Sequence, residues 1–538
     1  MSRTDFSRRT LLGTAIGAAG SAALPGFAWG QSAPRRGGTL VVAADTEPRN
    51  LNPAIVASNG VFYVASKVIE PLAEMSYDGT GLVPRLATEW SGAADGRSAT
   101  FKLRPGVTWH DGKPFSSADV AFSAMEVWKK AQNLGRVLFR DLEAVETPDG
   151  GTAVFRFSKA TPFQLISNAL PAVTAVVPKH IYQGTDVNTN PANTKLIGTG
   201  PFRFTEHKPG EFYRLTKNPT YWDKDKPYLD GIVYRVLPDA GAVAAAIEAD
   251  QIQLAAFSAI PLSELPRMEK LKGVQVVNKG YEGITYQLTV EINHRRKELA
   301  DARVRRAIAH AIDKDFVVKT IFRGYATASS GPIPKFDKQF HSSESAQPGF
   351  DVARANALLD EAGYARQGGS SGMRFKLRLL PAPWFEQTRQ MGDYLRQALR
   401  AVGIDAELVN GDAPGHIKAI YTDHTFDLAI GSPVYRNDPA ISTTILYQGG
   451  LPAGVPFSNQ YGYNDIALNN SMLRASENLD PLSRVRWYRD FQRQVAESQP
   501  LIHVAEFTFI SVIRDRVRNV ANNPRWATSN WADTWLSA

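Results

Sequence analysis

The sequence predicts a large α/β protein of several lobes, and three observations carry that prediction. Its 538 residues exceed what one hydrophobic core organises and suggest about three structural units. Short apolar runs and segments of helical apolar spacing alternate through the second half, the pattern of strands layered with helices. The composition, 43% hydrophobic and 21% charged, is that of a folded chain, and excludes disorder, a collagen-like repeat and a multi-span membrane protein. The formal charge of +8 comes without any run of five like charges, so no nucleic-acid footprint is concentrated anywhere and no nucleic-acid partner is expected.

The elements follow in order. Ser7-Arg8-Arg9-Thr10-Leu11-Leu12 is a twin-arginine pattern ahead of a Gly- and Ala-rich apolar stretch, and Ala28-Trp29-Gly30 is a small-x-small cleavage site. Residues 1–30 are therefore expected to be a twin-arginine signal peptide, with the mature chain beginning near Gln31. The chain has no cysteine, so disulfides, thiolate metal sites, a thiol nucleophile and a lipoprotein anchor are all excluded. A soluble exported protein kept by its cell implies a periplasm and a Gram-negative host. Leu40-Val41-Val42-Ala43 reads as a buried strand. Ser116 to Asp119 form a capping box ahead of a helix. Val304, Ala307, Ile308, Ala311 and Ile312 predict one amphipathic helix over 302–322. Asp351 caps a further helix that Gly363 stops. Met391 to Val402 make another, followed by alternating Ile404, Ala406 and Leu408 as a strand. A long helix after Pro481 ends at Pro500, before the strand-like 501–513.

The search for catalytic motifs returns negatives. Gly368-Gly369-Ser370-Ser371-Gly372 fits G-x-S-x-G, but a helix precedes it and a strand follows, the reverse of a nucleophile elbow. Gly106 to Lys113 lacks phosphate-loop spacing, and Pro114 stands where Ser or Thr must reach magnesium. His110-Asp111 reads as part of an Asp-Gly turn rather than an acid–base pair, and the nine histidines form no ligand pair one turn apart. Neither an enzyme activity nor a cofactor or metal is expected.

A set of spaced segments is positive evidence. Pro84 to Trp90, Asp95-Gly96, Phe101 to Pro114 and Ala118-Asp119-Val120 come in that order. Glu47-Pro48 with Leu51-Asn52-Pro53, Gly198 to Phe202, Asn218 to Trp222, Arg303 to Asp313 and Ala357 to Tyr364 complete the set. Together they resemble the peptide/nickel class, family 5, of extracellular solute-binding proteins of ABC importers, over nearly the whole mature chain. Most of these residues have structural duties; Trp90 and Trp109 are expected between layers.

The resemblance implies a two-lobed periplasmic-binding-protein fold of the class II type, with a domain inserted in the first lobe. The boundaries it suggests are 31–62, 191–288 and 501–538 for the first lobe, 63–190 for the insert and 289–500 for the second lobe. It further implies a ligand cleft between lobes, closure about a hinge, and delivery to the transmembrane subunits of an ABC permease by a monomeric receptor. In peptide-binding relatives one segment carries an aromatic residue and an aspartate for the peptide's ammonium; here Ser432 and Tyr435 hold those positions. Pro381 to Trp384 lacks the arginine that dipeptide receptors place nearby. Arg436 offers a guanidinium to an anion instead, with Trp384 or Tyr435 as a stacking surface. The implied site residues are Ser58, Asn59 and Tyr63 on one wall and Trp384, Tyr435, Arg436, Asn437 and Asp438 on the other, Asp438 also suiting a helix cap before Pro439. The cargo reading is an oligopeptide or peptide-like solute, with an anionic sugar conjugate or opine-like solute as the alternative. A periplasmic hydrolase and a chemoreceptor-docking role are the readings from other classes.

Overall fold

Two mixed sheets divide the chain, and the segments that pass between them define the seam. The computed structural model describes residues 33–538 except 77, 79, 80, 346, 370 and 371. The signal-peptide expectation and the two serines of the 368–372 loop therefore lie outside the described residues.

The buried run Leu40 to Ala44 forms the strand Thr39–Ala44, parallel to Gly231–Val236 on one side and Leu254–Ala255 on the other. Around it the first sheet runs Val274–Val277, Ser511–Arg514, Leu254–Ala255, Thr39–Ala44, Gly231–Val236, Phe212–Lys217 and Phe202–Lys208. The second sheet runs Ala326–Ala328, Leu501–Phe507, Thr285–Ile292, Leu428–Gly431, Phe375–Pro381 and Ile404–Leu408, with Val434–Tyr435 pairing onto Thr285–Tyr286. A separate four-stranded antiparallel sheet, Ala87–Gly92, Ser98–Leu103, Thr152–Phe157 and Leu142–Asp149, lies within the region expected as the insert. Its Phe101 and Phe155, with Trp128 of the adjoining helical segment, belong to the same hydrophobic cluster as Leu40 and Val42, so the two sheets share one core.

The chain passes between the large sheets twice, at 278–284 and 508–510. That moves the expected lobe boundaries: the second sheet begins at Thr285 rather than 289 and keeps Leu501–Phe507, which the resemblance places in the first lobe. The reason is the ladder itself. Thr285–Ile292 and Leu501–Phe507 exchange antiparallel hydrogen bonds along most of their length and cannot belong to different sheets.

The capping box at Ser116 is formed, and the Asp351 carboxylate accepts from Arg354 N at 2.8 Å as a helix cap. The helix expected over 302–322 is instead Ala302–His310, with a second start at Lys314–Phe316. Asp313 causes the break, because its carboxylate accepts from Phe316 N at 2.9 Å and so caps a new helix.

Glu291 sits inside the second sheet, buried behind Gly431, where an added Cβ would lie 1.9 Å from its carboxylate oxygen. Burial raises its pKa from 4.5 to about 7. Between those values the native state holds a proton that the unfolded chain has lost, so stability falls as pH rises through that window. Glu291→Gln should therefore be more stable than wild type at pH 8, by up to about 3 kcal/mol. The difference should vanish near pH 4.5, which urea melts at a series of pH values will check.

Candidate functional site

A cavity of about 410 Å³ opens between the two large sheets beside the crossing segments. Asp45, Asn59 and Tyr63 line it from the first lobe, Trp384, Phe385 and Phe507 from the second, and Phe509 from the 508–510 crossing. Tyr286 anchors the aromatic wall behind them, with ring centroids 5.4 Å from Phe385, 5.5 Å from Phe507 and 5.3 Å from Phe509. Asp45 directly follows Thr39–Ala44, so its carboxylate stands at the carboxyl end of a parallel strand, where open α/β sheets bind ligands. Asp45 makes no ion pair among the described residues, and desolvation raises its pKa.

The expected residues of the first wall divide by duty. Ser58 is the cap of the helix Asn59–Ala65, its hydroxyl accepting from Val61 N at 3.4 Å, and it does not line the cavity. Asn59 does, and its Nδ2 donates to the Tyr286 hydroxyl at 3.5 Å. Tyr63 is held edge-on between Tyr234 and Phe257, and its hydroxyl has no hydrogen-bond partner among the described residues. Trp384 donates its indole N–H to Ser432 Oγ at 2.7 Å, which fixes the ring against the cavity.

The second wall departs further from expectation. Tyr435 is buried, and its hydroxyl donates to the Asp337 carboxylate; it lines neither large cavity. Asp438 is a structural anion. It accepts two bonds from Arg484 Nη2, each 3.0 Å, with no exposure of either side chain, and also caps the short helix Pro439–Ile441 through Ala440 N at 3.0 Å. Asn168 Nδ2 donates to Asp438 at 3.1 Å and Arg484 donates to Gln164 at 2.8 Å, so this pair also joins the second lobe to the helix Phe163–Val173 of the insert region. Asn437, in left-handed backbone at φ 57°, turns the chain and lines a second cavity of about 530 Å³ with Met75, Trp90, Phe163 and Asp337. Trp109 is in the core, and Trp90 packs against that same core while also lining this cavity.

Arg436, expected on the second wall, lines neither cavity. Its guanidinium makes no ion pair or hydrogen bond among the described residues, and burial pushes it below its ordinary pKa, with Tyr286 opposing. Arg525, Asp45, Phe385, Phe507 and Phe509 carry no motif. Only Asp45 had a readable signal, its place just after the first strand. His110 and Asp111 face apart: the His110 ring bonds Gly200 O at 3.0 Å, and Asp111 bonds His180 at 2.7 Å. Among the described residues no cluster of three His, Cys, Asp or Glu side chains could hold a metal, and no helix is long and apolar enough to cross a membrane.

A family model described as bacterial extracellular solute-binding proteins, family 5 Middle, matches residues 81–455. The dipeptide-binding protein of Escherichia coli (strain K12) is 24% identical over 512 residues, covering 90% of this chain and 92% of its own. Glutathione-binding protein GsiB of Pectobacterium atrosepticum is 26% identical over 444 residues, covering 80% of this chain and 81% of its own. The crystal structure of the ABC transporter substrate binding protein CtaP of Listeria monocytogenes shares the fold, with a TM-score of 0.82 at 23% identity over 94% of this chain and 100% of that one.

The Asp438–Arg484 pair holds the segment that carries Arg436 and Asn437. Arg484→Met should strand a buried carboxylate and cost about 3–5 kcal/mol in urea unfolding. Adding Asp438→Leu should recover much of that loss, because no charge is then left unpaired.

Proposed function

Because the chain belongs to the bacterial extracellular solute-binding proteins of family 5, we propose that it is the periplasmic receptor of an ABC importer for a peptide-like solute. It captures the solute between its lobes and presents it to the transmembrane subunits of a permease. Export by the twin-arginine route, suggested by the first thirty residues, delivers it already folded, and it acts as a monomer without a cofactor. Binding, not turnover, is its activity, and closure about the 278–284 and 508–510 crossings is the signal the permease reads.

The observation that carries this reading is the polarity of the cleft. A carboxylate, Asp45, stands at one wall and an unpaired guanidinium, Arg436, beyond the opposite aromatic wall, neither in an ion pair among the described residues. A zwitterion with an apolar body meets all three demands: ammonium to Asp45, carboxylate to Arg436, side chains against Phe385, Phe507 and Phe509. The named relatives include proteins for a dipeptide and for glutathione, both peptides with free termini. One observation favours the second reading, an anionic sugar conjugate or opine-like solute. The Trp384 ring, locked by its bond to Ser432, presents a flat apolar face of the kind sugars stack on.

Native mass spectrometry of protein taken gently from periplasm, followed by denaturation, identifies what it holds. A set of peptides is the expected result; a single sugar-bearing anion overturns the peptide reading in favour of the second. For a peptide so identified, Asp45→Asn should weaken binding by about 10-fold or more in calorimetric titration, the worth of a charge-assisted hydrogen bond. Unchanged affinity would remove Asp45 from the site.

A further inference from the structure

We propose that Arg436 and Arg525 form an anion clamp, one guanidinium from each lobe, that grips a carboxylate of the ligand across the first crossing segment. The proposal deepens the receptor reading and rests on it for the nature of the solute, but its own ground is the charge balance at the seam.

Arg525 is 2% exposed, and its Nε and Nη1 have no hydrogen-bond partner among the described residues. The Phe62 ring centroid lies 5.8 Å from its Cζ, which leaves the cation against an apolar face. Burial lowers its pKa to about 10, and Arg436 contributes to the lowering while Glu74 opposes it. Placement is set by Gly283. A Cβ there would lie 2.6 Å from Arg525 Cγ and 3.1 Å from Met75 Sδ, and Gly283 N donates to Pro524 O at 2.8 Å. Arg525 therefore lies directly on the crossing segment. Two residues further on, Thr285–Tyr286 pairs with Val434–Tyr435, which leads straight into Arg436. Asn437 closes the arrangement, its Nδ2 lying 3.1 Å from Met75 Sδ.

The surrounding charges do not satisfy these cations. Glu74 is shared among Arg525, Arg85 and Lys67. Glu70 is taken up by Tyr221 at 2.7 Å, Trp222 at 3.0 Å and Thr199 at 3.1 Å. Lys67 is committed elsewhere, donating to Ala527 O at 2.9 Å and lying 4.0 Å over the Trp531 ring. Lys67, Arg85 and Arg525 thus share two carboxylates, Arg436 has none beside it, and the side chains of Arg85, Arg436 and Arg525 make no ion pair among the described residues. Buried cations in excess require an anion. A carboxylate suits the requirement because its two oxygens match the guanidinium fork and can be shared between two forks. The clamp also couples binding to closure. Bringing like charges from two lobes together is unfavourable until an anion lies between them, so the closed state is selected by the ligand that carries one.

The test compares trialanine with its C-terminal amide by calorimetric titration, in wild type, Arg525→Gln and Arg436→Gln, with circular dichroism confirming that each variant folds. Wild type should bind the acid at least about 30-fold more tightly than the amide, and each variant should reduce that ratio below about 3-fold. Arg525→Lys, which keeps the charge and loses the fork, should retain an intermediate preference and separates lost charge from a misfolded variant. Equal binding of acid and amide by wild type, or an undiminished preference in both glutamine variants, overturns the clamp and leaves the receptor reading standing. If wild type binds neither peptide, the choice of a peptide solute fails instead, and the clamp is judged by succinate. A succinate-dependent rise in Tm that both glutamine variants lose supports it, and no rise in wild type overturns it.

Discussion

The Asp438–Arg484 ion pair is the interaction on which the cleft depends. Both side chains are fully buried. Burying two charges is expensive, and here the expense is offset because each finds several partners: Asp438 also accepts from Asn168 and Ala440, and Arg484 donates to Ala475 O and Gln164. The partners come from separate parts of the fold. One bond network thereby holds the helix Pro481–Ser498, the turn 436–439 and the helix Phe163–Val173 in a fixed relation. Arg436 and Asn437 project from that turn, so their aim is decided by a pair that itself touches no ligand.

Around this anchor the seam combines two kinds of surface that answer different needs. The aromatic wall of Tyr286, Phe385, Phe507 and Phe509 excludes water, which strengthens every charge interaction nearby. The charged groups within reach of that wall are deliberately few. Tyr435 does not join them; its hydroxyl is spent on Asp337, whose carboxyl burial pushes up to about 6. Tyr435 is thus a packing residue, and the carboxylate next to it bonds the protein itself. Across the cleft, Asp45 lines the cavity without an ion pair among the described residues, as does Glu386.

Legibility of the fold followed the range of the forces involved. The strand at Thr39, the capping box at Ser116, the helix cap at Asp351 and the long helix after Pro481 depend on residues within a few positions of one another, and all were readable. The 302–322 helix was misread because apolar spacing continues past Asp313, while the cap that interrupts it is a single local hydrogen bond. The lobe boundary was misplaced because the strand 501–507 is assigned by its partner, Thr285–Ile292, far away in the chain.

The sequence by itself determined the class: an α/β chain without cysteine, without a catalytic motif, and with ordered segments that place it in family 5. It also brought Asn59, Tyr63 and Trp384 into consideration, and all three line the cleft. Only tertiary structure decided which polar groups are left over for a ligand. Whether an arginine is structural or free depends on whether a carboxylate from elsewhere reaches it. Arg484 and Arg525 look alike as residues, yet one is met by Asp438 and the other lies bare against Gly283 and Phe62. Such satisfaction is a property of space, because charges pair across whatever distance in sequence the fold has closed.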